Sequence, residues 1–455
     1  MTAPNLLDRL RPTPADSRAL LALALPVVAV QVGLMLMGVV DTMMVGRVSA
    51  AALAGVALGN LYYFGCSIFG MGVLFALDPI VAQAVGARDE AGIARGVQRG
   101  GVLAVLLSVP VAALMLLGEP ALRAAGQPVD VIPQAGAYTR YSAPGVLPFY
   151  LFLVLRQTLQ ALTRMRPILL AIVAANLLNV VLNWVFIFGN LGAPRMGVAG
   201  AAVATTIGRW VLPALLLALA WPALRDALRP LRREALAPAP LLRMLRLGAP
   251  IGIQSMLEYT AFGMVGLLMG RIGTTAVAAH QVAINLASLT FMVPLGVGQA
   301  AAVLVGHAVG ARDPVAARGA ARAAVAYGVG FMGLTAIAFL VAPRFLAQLY
   351  TTDAATVALA ATLLPVAGVF QLVDGLQAVT AGVLRGAGDT RVPMLINLGG
   401  FWLFGIPLCL LLGFRAGLGA VGLWWGLAGA LGAVAVVLAW RTWRLLHRPI
   451  ERVGA

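Results

Sequence analysis

The sequence predicts an all-α polytopic membrane protein, with twelve transmembrane helices in two parallel six-helix repeats forming two lobes around a central cavity. Three observations predict it. The chain of 455 residues is 61% hydrophobic and only 11% charged, with mean hydropathy +0.94, whereas a soluble domain carries about 25% charged residues. Apolar windows of roughly 20 residues or more, the length that crosses a bilayer, recur along its whole length. The first half also returns in the second at a constant offset.

Taken in order, the spans cover about 19–45, 50–84, 94–117, 132–160, 167–189, 197–221, 244–270, 275–308, 319–342, 355–385, 392–413 and 419–440. The second and eighth are long enough to tilt or to protrude from the bilayer. A cleavable signal is not expected, because Asp8, Arg9, Arg11, Asp16 and Arg18 precede a first apolar segment longer than a signal core. Arginine marks one side. The N-terminus, the even-numbered connections (Arg88, Arg95 and Arg99 in the first of them) and the tail (Arg441, Arg444, Arg448, Arg452) are basic, while odd-numbered connections hold about one arginine each. Both termini are therefore expected in the cytoplasm.

The register of the repeat is set by Pro26 and Pro250, Gly46 and Gly270, Gly86 and Gly310, all separated by 224 positions, and AVGAR with its following acid recurs as Asp89 and Asp313. Six spans per half is an even number, so the halves run parallel, with a cavity expected between them at midplane. The longest, most basic and most proline-rich connection separates them. The expected organisation is a lobe over 1–221, a cytoplasmic linker over 222–243 and a second lobe over 244–455. The pairs Arg88 with Asp89 and Arg312 with Asp313 are expected to clamp the loops that carry them.

Several function classes fall away. The net charge of +16 comes from single arginines between apolar spans, with no basic run interleaved with aromatics, so nucleic acid is not expected as a partner. All 32 basic residues are arginine, which removes a Walker A lysine and a lysine Schiff base. Cys66 and Cys409 lie within apolar spans and form no disulfide framework. A prenyltransferase would need paired Asp-rich motifs and an intramembrane metalloprotease a His-Glu-x-x-His; neither occurs, so an enzyme is not expected.

What remains is a handful of polar side chains in apolar spans. An intramembrane carboxylate is expensive, by about 3 kcal/mol or more, and points to function. Glu258 lies in IGIQSMLEYTAFGMVGLLMGR, and Asp41 and Asp374 have comparable surroundings. The repeat sets Leu34 opposite Glu258 and Val265 opposite Asp41, so the halves share a scaffold and not a site. Two carboxylates brought together in a low dielectric do not both stay ionised comfortably, and hold either a proton or a metal cation. Sodium would want further oxygens, and Gln254 and Ser255 lie one turn before Glu258. Asn176, Asn179 and Asn183 share one face of the fifth span, as a polar switch or as glue between helices. His280, Gln281 and Asn285 form a smaller polar group in the eighth span; Asp78, Arg156 and Arg209 are buried by position and are expected to pair within a lobe or to snorkel. Met35, Tyr62, Phe291 and Met292 are the candidate lining of a pliable substrate cavity.

VVDTMMVGRVS around Asp41, the paired GARD loops, QSMLEY around Glu258, AAHQVAIN around His280 and FQLVDGLQAVTAGVLRGAGDTRVP around Asp374 resemble the multidrug and toxic compound extrusion (MATE) transporters, in particular their NorM-type branch. The resemblance covers the whole chain. It implies a V-shaped pair of lobes, alternating access, and export of bulky hydrophobic or cationic drugs in exchange for Na+ or H+, with no other cofactor, by a monomer. It also implies that Glu258 and Asp374 are the cation ligands of the C-terminal lobe, and that Asp41 is a proton-binding switch beside Asn179 and Asn183. Two positions depart from relatives: Phe370 stands where some carry a tyrosine, and Asn183 where the DinF-type branch carries a second acid, leaving one acid in the N-terminal lobe. A lipid or lipid-linked oligosaccharide flippase of the same superfamily is the alternative, but it should line its cavity with basic residues, and the cavity signal here is acidic. A channel fits the parallel duplication less well than a carrier.

Overall fold

Within a bilayer, with no water to satisfy the backbone, a chain must form helices or a closed barrel, and long apolar helices are what this one forms. The computed structural model describes residues 12–448 and 450–453; Asp8, Arg9 and Arg11, counted above on the cytoplasmic side, lie outside the described residues. The first half contains α1 (Pro14–Gly46), α2 (Ala50–Leu74), α3 (Leu77–Gly86), α4 (Glu90–Leu116), α5 (Ile132–Ser142), α6 (Val146–Ala161), α7 (Met165–Phe188) and α8 (Val198–Leu228). The second contains α9 (Pro238–Ile272), α10 (Thr274–Gly310), α11 (Pro314–Val341), α12 (Ala354–Gly386), α13 (Arg391–Asn397), α14 (Ile406–Leu410) and α15 (Gly419–Leu446).

Eleven of the described helical segments are long and apolar enough to cross a membrane. The twelfth expected span, the fourth, is present as α5 and α6, split by a 3-10 turn at Ala143–Gly145. Pro144 sits in that turn, where its missing N–H would break a continuous ladder. The second span is likewise α2 followed by α3, and the eleventh is wound wide, with π-helical turns at Leu398–Gly405 and Leu411–Arg415 on either side of α14.

The chain separates into two compact units, and their boundaries differ from the expected lobes. One unit takes the chain up to Val28 together with Ile253 onward; the other is Ala29–Gly252. Each switch falls two residues beyond the paired prolines, Pro26 and Pro250. Small residues explain the exchange. In the first unit Gly296 of α10 lies against Val28. In the second, Gly248 of α9 faces the Val73 carbonyl and Gly252 that of Phe69, contacts a side chain would prevent. The expected linker is also shorter, since α8 runs on to Leu228 and α9 begins at Pro238. Gln98 of α4 holds it, donating to the Ala227 and Pro230 carbonyls (3.1 and 3.0 Å) and accepting from the Arg232 amide at 2.9 Å.

The repeated loops are built by capping. Asp89 accepts from the Gly92 amide at 2.7 Å, and Asp313 from those of Val315 and Ala316 at 3.0 and 2.9 Å, the work of an N-cap carboxylate. Arg88 and Arg312 precede them in the left-handed region, at φ 54° and 57°. The acid thus starts the next helix, where a clamp onto its neighbouring arginine was expected. The core of the first unit gathers around Trp424, Phe370 and Phe401, all essentially unexposed, while Leu334, Val436 and Trp443 remain on the outside, as lipid-facing residues should.

Candidate functional site

The C-terminal acids are brought together by helix packing. Along the seam between α10 and α12, Gly298 faces the Ala378 carbonyl at 2.7 Å from where its Cβ would be, Gly382 faces the carbonyl of Gly298, and Gly386 that of Ala302. This backbone-to-backbone approach turns the polar face of α12 inward: Gln371, Asp374 and Gln377, spaced by three, are all buried, Asp374 at 5% exposure. Across from it, α9 presents Glu258. Phe262 of α9 and Phe370 of α12 stack edge to face, centroids 6.0 Å apart at 86°, and Phe370 meets Trp424 in the same way at 5.7 Å. Glu258 lies one turn before Phe262, and Asp374 one turn after Phe370. Because the two helices run oppositely, both carboxyls fall on the same side of the ring pair. They interact electrostatically, and the Gln377 side chain hydrogen-bonds the Glu258 carboxyl.

Gln371 extends the polar surface, donating to Thr290 Oγ1 at 2.8 Å and accepting from the Thr335 hydroxyl. Sequence reasoning missed Gln377, Gln371, Thr290 and Thr335. Spacing from Asp374 at i−3 and i+3 was the available signal for the two glutamines. Gln254 and Ser255, expected beside Glu258, are half-buried on α9. Among the described residues no three His, Cys, Asp or Glu side chains converge, so a cation here would draw its remaining oxygens from amides and hydroxyls.

The N-terminal acid has its own setting within Ala29–Gly252. Asp41, 4% exposed, accepts from Asn183 Nδ2 of α7 and from the Thr205 hydroxyl of α8, both at 2.6 Å. Asn183 also donates to Asn179 Oδ1 at 3.1 Å. Asn176 does something else: its amide donates to the carbonyls of Gly33 (3.0 Å) and Ile172 (2.9 Å) and so ties α7 to α1. The stripe of three asparagines is therefore divided, two serving the acid and one joining helices. Arg209 stacks over the Tyr63 ring, 3.8 Å from its centroid, and its charge reaches Asp41. Thr205 gave no signal in a run of small residues.

The other named positions fall into place individually. Arg156 donates to Gln31 Oε1 at 2.8 Å and interacts electrostatically with Asp78, so both are paired inside their unit. His280 is 5% exposed and packs on Trp424 at 5.7 Å, with Nδ1 lacking a hydrogen-bond partner among the described residues; Gln281 and Asn285 are on the exposed face of α10. The structure gathers His280 with aromatics and not with the acids. Met35, Phe291 and Met292 are half-buried. So is Tyr62, whose hydroxyl donates to the Leu114 carbonyl at 2.8 Å and joins α2 to α4.

A duplicated bundle of membrane-length helices with acids set inside its spans has the build of a membrane transporter. Comparison with known proteins makes this particular. The MatE family model matches the chain twice, over residues 26–185 and 250–411, once in each half. The chain is 42% identical over 431 residues to the Multidrug resistance protein NorM of Burkholderia vietnamiensis, covering 92% of each. It is 40% identical over 437 residues to the Probable multidrug resistance protein NorM of Mesorhizobium japonicum, covering 94% of this chain and 93% of that one. The chain belongs to the MATE family. Its fold matches the crystal structure of the eukaryotic MATE transporter AtDTX14 (TM-score 0.87, 23% identity, 94% and 95% covered) and that of the Vibrio cholerae MATE transporter VcmN in the bent form (TM-score 0.84, 21% identity, 95% and 97% covered).

Proposed function

We propose that the protein is a multidrug efflux antiporter of a bacterial inner membrane, with both termini cytoplasmic, which exports hydrophobic or cationic drugs by alternating access in exchange for H+ or Na+. Multidrug efflux follows from the family and from relatives near 40% identity. The antiport reading rests chiefly on one observation: Glu258 and Asp374 interact electrostatically beside the Phe262–Phe370 ring pair, with Gln377 hydrogen-bonded to Glu258 and the charge of Arg385 reaching it. Two carboxylates that repel each other inside the spans, with one arginine charge reaching only Glu258, call for a mobile cation. A proton shared between them would satisfy that need, and so would a sodium ion taking oxygens from Glu258, Asp374 and the neighbouring amides.

Asp41 supplies the second, separate element. Its carboxylate takes two donors at 2.6 Å; adding a proton removes an acceptor and releases Asn183 or Thr205 to other partners. Protonation there would change how α1 is fastened to α7 and α8, which is what a switch requires. The test is efflux of a fluorescent cation from proteoliposomes under a sodium gradient and, separately, a pH gradient. We expect at least one gradient to drive it and Glu258→Gln to uncouple it. Efflux unaffected by both gradients would end the antiport reading, and unchanged coupling in Glu258→Gln would remove the C-terminal acids from it.

A further inference from the structure

Within the unit that contains the start of α1 and the second half of the chain, a groove of about 650 Å³ runs between the first turns of α1 and the face of α11. Pro14, Ser17 and Arg18 line its outer end, and Leu21, Leu25 and Tyr327 its inner one. Its two ends differ in chemistry. Leu25 is 64% exposed, so the inner end offers an apolar wall that nothing among the described residues covers. The outer end offers the exposed guanidinium of Arg18. Asp16, the acid nearest to Arg18 in sequence, is turned toward the helix start, where it accepts from the Thr13 amide at 3.2 Å and the Thr13 hydroxyl at 2.7 Å.

We infer that this groove is a binding site for one anionic glycerophospholipid, with an acyl chain laid along Leu21 and Leu25 and the phosphate on Arg18. Charge and shape select this occupant. The arginine lies on the side of the membrane that carries most of the basic residues, the side on which anionic lipids attract them. A zwitterionic lipid would fill the same apolar channel but return less to the exposed guanidinium of Arg18, and free phosphate would leave Leu21 and Leu25 uncovered. A lipid seated here would brace the part of α1 that precedes Pro26, the stretch that belongs to a different compact unit from the rest of its helix.

Native mass spectrometry of the purified full chain, titrated with phosphatidylglycerol or with phosphatidylcholine, reads the site directly. The wild type should retain phosphatidylglycerol in preference, and Arg18→Gln should reduce that preference about fivefold, the worth of one arginine near a lipid surface. Ala22→Trp, which fills the groove while leaving Arg18 in place, should release both lipids from the same site. Arg444→Gln, at an exposed arginine elsewhere on the unit, should leave the preference unchanged, and millimolar inorganic phosphate should not compete. The inference is overturned if Arg18→Gln keeps the wild-type preference, if Ala22→Trp retains as much lipid as the wild type, if Arg444→Gln lowers the preference as much as Arg18→Gln does, or if inorganic phosphate displaces the lipid.

Discussion

The seam between α10 and α12 can be challenged with a single methyl group. A Cβ at Gly382 would sit 2.6 Å from the carbonyl carbon of Gly298 and 2.8 Å from its Cα, and closer still to the carbonyl oxygen. Ordinary carbon contacts begin at about 3.5 Å, so Gly382→Ala must push the helices apart by roughly 1 Å or twist one of them. Backbone atoms cannot step aside as a flexible side chain can. Overpacking of this kind costs about 1–3 kcal/mol, partly offset by the better helix propensity of alanine, about 1 kcal/mol. The damage should not stay local, because Asp374 is two turns up the same helix and its approach to Glu258 depends on where α12 lies. We expect thermal unfolding in detergent to fall by several degrees and coupled efflux to fall about tenfold. Gly330→Ala on the adjacent α11 is the control: nothing lies within 4 Å of its Cβ position, so it should keep both stability and transport. If Gly382→Ala unfolds at the same temperature as Gly330→Ala and transports normally, the account of how the acids are brought together is wrong.

Three further outcomes separate the roles assigned to neighbouring residues. Thr205→Val, which keeps the shape but removes a donor to Asp41, should reduce coupled efflux severalfold, and Thr205→Ser should restore most of it. Asn176→Val should instead lower stability, by about 1–2 kcal/mol for two lost hydrogen bonds, with the drug-to-ion ratio unchanged in flux measurements. Asp353, outside the spans, caps α12 through the Thr356 amide at 2.8 Å, and its bonds to Thr356 hold its carboxyl below the usual value of 3.8. A depressed carboxyl stabilises the fold above its unfolded pKa and loses that contribution as pH falls through the folded one. The loss of thermal stability in Asp353→Ala should therefore be full near neutral pH and vanish in strong acid, which parallel melting curves will show.

The architecture could be read from the chain because its cues are dense: long apolar runs, a 224-residue register and arginines concentrated in alternate connections. The three acids could be read for the same reason, each being costly enough to stand out against an apolar background. Their partners were harder to find. Gln377 and Thr205 cost little to bury and look like many other polar residues until the fold shows which ones face a carboxylate. The exchange of helix halves was not legible from hydropathy, since Pro26 and Pro250 mark where a helix loses a hydrogen bond but not which neighbours its two parts choose. Those choices lie in Gly296, Gly248 and Gly252, whose meaning depends on the backbone opposite. The fourth span was read as continuous, and Ala143–Pro144–Gly145 in fact divides it.

The widened turns of the eleventh span bear on how the two halves drifted apart after duplication. A turn closed from i to i+5 houses one residue more than an α-turn without disturbing the helix on either side. The eleventh span has two wide stretches of this kind, Leu398–Gly405 and Leu411–Arg415. The fifth span, at the corresponding place in the first half, is a regular helix that carries Asn179 and Asn183. One copy has α-helical spacing and with it a polar face aligned on Asp41; the other has its wide turns in a span that carries no acid. Insertions in such a gene should therefore be tolerated in one half and selected against at the same place in the other.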